Sequence, residues 1–222
     1  DQLSHFLKML VYAGPGDGKT RLCATTDDPE GTVIISAEAG LLSLRDHNLT
    51  AIEVKSIADV VEAFKWISNS EEGRRMSWVC LDSISEIAEV VLAHEKAENK
   101  NAMRAYGQMA DQMTNLIRGF RDLPGKHVYM TAKQEKTQLD DGSLMFGPSM
   151  PGKNLTNGIG YYFDELFCLR VHTNETGEVS RFLQTSSNGS HQCKDRSGAL
   201  ELFEEPNLTH IKHKILGVQN NG

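Results

Sequence analysis

Short apolar runs rich in β-branched residues alternate along this chain with longer stretches whose apolar positions recur every three or four residues. Phe6–Tyr12, Thr32–Ala37, Thr50–Val54, Trp78–Leu81 and Lys126–Ala132 read as strands. Ser56-Ile57-Ala58-Asp59 has the residues of a capping box, and apolar positions 57, 60, 61, 64 and 67 then lie on one helical stripe. Further helical patterns fill 84–98 and 103–121. Strands that are apolar throughout are covered on both faces, so this alternation predicts an α/β fold with a mainly parallel central sheet flanked by helices.

The pattern changes after Ala132. Residues 134–160 are rich in Gly, Pro, Asn, Ser and Asp and read as a long mobile loop. Glu165–His172 and Ser180–Ser186, joined through Asn174-Glu175-Thr176-Gly177, predict a C-terminal β-hairpin over about 165–187. A short tail, 205–222, can hold a helix over Asn207–Leu216. With 222 residues, no internal repeat and no low-complexity tract, residues 1–222 are expected to form a single domain.

The first strand leads into Ala13–Thr20, AGPGDGKT, and Lys19–Thr26 can continue as helix. Strand, Gly-rich turn and Gly-Lys-Thr are the context of a loop that binds a nucleoside triphosphate. The backbone of Gly14, Pro15, Gly16, Asp17 and Gly18 would surround the phosphates, donating its N–H groups at every position but Pro15, with Arg21 close by. Lys19 would bridge the outer phosphates and the Thr20 hydroxyl would hold Mg²⁺. Ala13 stands where Gly is usual, a sterically mild exchange. The run Trp78-Val79-Cys80-Leu81 ends in Asp82, the second Mg²⁺ position. The next residue is Ser83, where many ATPases carry the glutamate that activates water. The base must therefore come from elsewhere, and Glu38, just past the strand Thr32–Ala37, is the candidate. ATP and Mg²⁺ are the expected cofactors.

Bulk charge narrows the partners. The net charge of −7 argues against coating nucleic acid by charge alone, yet residues 94–136 hold eight Lys/Arg against five acids. Cys23, Cys80, Cys168 and Cys193 form no CxxC pair, and no signal-peptide pattern or membrane-spanning run is present, so a reducing, cytoplasmic setting without membrane contact is expected. His191-x-Cys193 and His210-x-x-His213 lack partner pairs at zinc spacing and read as structural.

The phosphate loop, Glu38, and Asp82 without a following Glu together resemble the RecA/DnaB class of ATPases. Lys194-Asp195-Arg196-Ser197-Gly198 strengthens this, being similar to the Lys-x-Arg-x-Gly element of RadA- and DnaB-like proteins. Length and element order, with Tyr106-Gly107, the Phe120–Lys133 run and Lys194–Leu200, most resemble the Sak-type phage single-strand annealing ATPases. The resemblance implies a RecA-like P-loop NTPase core and a homo-oligomer, ring or filament, in which Lys194 and Arg196 reach the neighbour's γ-phosphate. It also implies a γ-phosphate sensor among Thr131, Lys133 and Gln134. Single-stranded DNA would be held by loops around Asn99–Tyr106 and Lys136–Lys153, through Lys100, Arg104, Lys133, Lys136 and Lys153, with Tyr106 or Phe146 stacking on a base. The implied process is DNA recombination or annealing in a phage-infected bacterial cell, with a single-strand DNA-binding protein as a further partner. The alternatives are a small-molecule or nucleotide kinase, and a nucleotide-gated DNA-binding or regulatory module that hydrolyses little. The residues give no clear adenine contact beyond Leu44 or Arg45.

Overall fold

The structure is a computed structural model that describes residues 6–38, 41 and 44–217. Strand β1 (Lys8–Ala13) is buried along its whole length because it lies inside the sheet. It pairs in parallel with β5 (His127–Gln138) on one side and β7 (Glu165–Thr173) on the other. Beyond β5 the parallel sheet continues through β4 (Trp78–Asp82), β2 (Thr32–Ser36) and β3 (Thr50–Glu53). Beyond β7 it continues antiparallel through β8 (Val179–Gln184) and β10 (Phe203–Glu204). Two shorter additions complete it: β6 (Leu144–Ser149) on β5 and β9 (Lys194–Asp195) on β7. The mainly parallel sheet and the C-terminal hairpin β7–β8 are as the pattern predicts.

Alternate residues of the strands feed two cores. Leu10, Tyr12, Val33, Ile35, Leu81 and Met130 pack beneath α1 (Ile57–Asn69), α3 (Ile84–Glu98) and α4 (Ala102–Arg121). Met9, Val11, Ile34, Cys80 and Tyr129 face the other way. They lie under the short 3-10 segment Thr20–Thr25 and α6 (Leu208–Leu216), which contributes Leu208 and Ile211. Full burial of each such side chain contributes about 1.5–3 kcal/mol, which is what fixes these helices against the sheet. The capping box forms: Ser56 Oγ accepts from Asp59 N–H, and the Asp59 carboxylate accepts from Ser56 N–H.

Two expectations change. Residues 134–160 are not a long loop. β5 runs six residues past its last buried position and turns at Leu139–Ser143, where Asp141-Gly142 lets Gly142 take a positive φ. It then returns as β6, with Lys133 opposite Ser149 and Gln138 opposite Leu144. Helix α5 (Lys153–Gly158) and a 3-10 turn, Ile159–Tyr162, complete the stretch. None of Lys133–Gln138 is buried, and of β6 only Pro148 is buried, with Phe146 packed partly against the core, so the hairpin carries no apolar alternation that would mark it in the sequence. The segment after the phosphate loop is also only a six-residue 3-10 helix, stopped by the polar run Thr26-Asp27-Asp28-Pro29.

Candidate nucleotide site

All the parallel strands end on the same edge, and the phosphate loop leaves β1 there. Gly16 (φ 76°) and Gly18 (φ 108°) take backbone conformations that a side chain would strain, which turns successive amides inward. Because the following helix is so short, these amides rather than a long helix dipole provide the anion-binding potential. The buried Tyr129 of β5 donates its hydroxyl proton to the Lys19 carbonyl at 2.8 Å, fixing the end of the loop. A cavity of about 580 Å³ opens here, bounded by Pro15, Gly16, Lys19, Thr20, Glu38 and Lys133, with Arg21 and Gln134 at its margin.

Lys19 donates to the carbonyls of Ala13 (3.3 Å) and Gly14 (3.0 Å). Burial lowers its pKa, opposed by the charges of Glu38, Asp82 and Asp17. Asp82 is almost wholly buried, and each oxygen accepts a hydroxyl at 2.5 Å: Thr20 at Oδ2 and Thr131 at Oδ1. Burial raises the Asp82 pKa against these two bonds, Glu38 adds to the rise and Lys19 opposes it. Thr20 and Asp82 are hard oxygen donors in contact, which suits Mg²⁺. Among the described residues no group of three or more His, Cys, Asp or Glu is placed to hold a metal.

The structure brings Glu38 to this site. Ser36 lies opposite Asp82 in the β2–β4 register, and Glu38 follows two residues on, past the end of β2. Ser83 Oγ donates to Glu38 Oε1 at 2.9 Å. The three sensor candidates separate. Thr131 is buried and committed to Asp82, whereas Lys133 and Gln134 line the cavity. Lys133 is ion-paired with Glu86 in the first turn of α3.

Lys194 and Arg196 are not at this edge. β9 pairs with Leu166 and Glu165, and Glu165 pairs with Met9 near the start of β1, so both lie by the amino edge. Met9 to Ala13 alone is about 13 Å of strand. Lys194 donates to the Gly160 carbonyl at 2.9 Å, and Arg196 bonds Asp164 at 2.8 Å. The arginine next to the loop is instead Arg181 of β8, whose Nε donates to the Asp17 carbonyl at 2.9 Å. With Arg21, His47 and Pro206 it borders a second cavity of about 260 Å³ beside Gly18. Leu44 is in the core and Arg45 pairs with Asp46, so neither borders this cavity.

Tyr106 lies against Gly152, the residue before Lys153: a side-chain carbon at Gly152 would come within 3.3 Å of the Tyr106 ring, over which Lys96 Nζ sits at 5.0 Å. Lys100, Arg104 and Lys153 are exposed. Phe146 is already occupied, stacked on His191 at 4.8 Å with Lys136 over its ring. Tyr12 ties this region to β1, donating to Phe146 O and Gln192 O.

Residues 5–197 match the family model described as an AAA domain, AAA_24. The chain belongs to that family, with the phosphate loop of a P-loop ATPase domain. No curated protein matches it. Solved structures similar to it include a KaiC-like protein of Pyrococcus horikoshii OT3, at 13% identity and a TM-score of 0.46, covering 80% of this chain and 77% of that one. Another is the flagellar accessory protein FlaH of Methanocaldococcus jannaschii, at 9% identity and a TM-score of 0.43, covering 81% and 78%. No helix of the described residues is long and apolar enough to cross a membrane.

Proposed function

We propose that this protein hydrolyses MgATP and assembles on single-stranded DNA through repeated copies of itself, in a recombination or annealing process of the phage type. Lys19 and the loop amides hold the phosphates. Thr20 and Asp82 hold Mg²⁺, which would neutralise charge on the phosphates. Glu38 takes the proton of the attacking water, and Lys133 or Gln134 senses the γ-phosphate. The cavity beside Arg181 and His47 takes the nucleoside.

The observation that carries the DNA reading is the placement of the exposed Tyr106 ring against Gly152, which follows β6, whose Ser149 lies opposite Lys133. An exposed ring with Lys96 over it, and exposed Lys100, Arg104 and Lys153 in the two segments that meet there, suits a base stacked between backbone contacts. Lys194 and Arg196 stand too far from the chain's own loop to serve it. They act, in this reading, on the nucleotide of an adjacent copy, where a guanidinium stabilises charge developing in phosphoryl transfer.

The test is the ATPase rate with and without single-stranded DNA across a range of protein concentrations. Stimulation by DNA and a faster-than-linear rise with concentration are expected. Phosphate transfer to a nucleoside monophosphate with no response to DNA would overturn the reading in favour of a kinase.

A further inference from the structure

We propose that Ser83 is a positioning residue for Glu38, so that the serine standing in the usual place of the base holds the base that has moved to the neighbouring strand. The inference rests on the reading of Glu38 as the group that takes the proton of the attacking water.

Three contacts carry it. Ser83 is fully buried and caps α3, its Oγ accepting the Glu86 N–H at 3.2 Å. With that lone pair taken, the hydroxyl proton points to Glu38 Oε1 at 2.9 Å. The backbone of Glu38 is fixed separately. Ser36 Oγ donates to the Glu38 carbonyl at 2.9 Å and accepts from the Glu38 N–H at 3.2 Å. The carboxylate is thus held at its main chain and at one oxygen, which leaves Oε2 as the oxygen that can accept a proton. Ser36, Asp82 and Ser83 all lie at the paired ends of β2 and β4. The sheet register therefore fixes the spacing between the metal ligand Asp82 and the base.

A glutamate released from Ser83 keeps its chemistry and loses its aim. Displacement of a reacting group by about 1 Å can cost about a hundredfold in rate. Substrate binding should be spared, because Ser83 touches neither the loop nor Lys19.

The experiment compares Ser83→Ala, Ser83→Gly, Ser83→Thr, Glu38→Gln and the double variant Ser83→Ala/Glu38→Gln in full-length protein. Steady-state kcat and KM, binding of a fluorescent ATP analogue, and the melting temperature are read for each. Ser83→Ala is expected to lower kcat about 10- to 100-fold with KM and analogue affinity changed less than about threefold. Ser83→Gly should do the same, and glycine is tolerated as a helix cap, so it guards against a loss of folding in the alanine variant. Ser83→Thr, which keeps the hydroxyl, should restore most of kcat. On the Glu38→Gln background, Ser83→Ala should add no further loss, since the two act as one unit.

The outcomes separate the two claims. If Glu38→Gln retains hydrolysis, the reading of Glu38 as base is wrong and Ser83 falls with it. If Glu38→Gln abolishes hydrolysis while Ser83→Ala and Ser83→Gly leave kcat intact, the positioning role alone is wrong. A kcat loss matched by an equal loss of analogue binding would also overturn it.

Discussion

Lys19 and Lys126 are both withdrawn from water in this protein, yet they sit at opposite edges of one sheet and do different things. At the amino edge, Lys126 Nζ donates to the carbonyls of Gly73, Arg74 and Met76, satisfying the end of α2 (Glu71–Arg75). Its neighbour Lys8 donates to the carbonyls of Lys126 and Leu123, and burial brings its pKa down to about 8. Each of these cations is spent on backbone oxygens. At the carboxyl edge, Lys19 also touches carbonyls, but it borders an open cavity with Glu38 and Thr20. A buried cation with a filled set of acceptors is a structural clamp, and the half-buried Lys19 beside a cavity is the one to which the proposed function gives a binding role. Residue type does not distinguish them; the space in front of the ammonium does.

Arg196 gives the hardest test of that division, because it is, with Lys194, an amino-edge residue to which the proposed function assigns chemistry. Arg196→Ala is expected to reduce hydrolysis about 10³-fold while ATP binding is unchanged. Mixing it with a Lys19→Ala variant should restore part of the activity, since one supplies the loop and the other the arginine. Unchanged hydrolysis, or an equal collapse of ATP binding, would return Arg196 to the structural set.

Lys126→Met probes the structural set itself. It removes the ammonium from three carbonyls, of which that of Gly73 keeps the Met76 N–H, and a loss of about 2–4 kcal/mol in urea unfolding is expected, with ATP affinity of the folded protein unaltered. A weakened nucleotide affinity at full folding would blur the two edges.

The smallest effect concerns Glu165, which pairs directly with Asp195 and has Asp164, held by Arg196, beside it. Burial, then the Asp195 charge, raises its carboxyl pKa to about 8, and its Oε2 has no hydrogen-bond partner. The folded protein therefore binds this proton more tightly than the unfolded chain. The contribution is complete below about 4.5 and is lost as pH rises through about 8. Buried His127, lowered by burial to about 4, works in the opposite sense only below its unfolded pKa of 6.5. Between pH 6.5 and about 7.5 stability should fall by about 1 kcal/mol per pH unit, and Glu165→Gln should flatten that slope; nearer pH 8 the lowered pKa of Lys8 works in the opposite sense and offsets it. A slope of the same size in Glu165→Gln would assign the effect elsewhere.

The apolar runs made the strands and α3 visible beforehand, and the loop motif located Lys19 and Thr20, because those features follow from burial and from one contiguous stretch. Glu38 was also legible, through the rule that sites gather at strand ends. The overhanging part of β5 was not, since Lys133 to Gln138 buries neither face. Nor was Arg181, which reaches Asp17 only because β8 happens to lie two strands from β1. The bond from Ser83 to Glu38 depends on the β2–β4 register, which no local pattern encodes.

The position of β1 between β5 and β7 has a consequence for how the chain is made. Its partners are Lys8 with Val128 and Met9 with Glu165, so the loop-bearing strand waits for almost the whole domain. During synthesis at about 5–20 residues per second, that wait is on the order of ten seconds. Throughout it a strand that is apolar from Met9 to Ala13 and an unformed phosphate loop are exposed together. Competence to bind nucleotide is thus one of the last properties the nascent protein acquires, and ribosome-bound fragments ending before β7 should lack it.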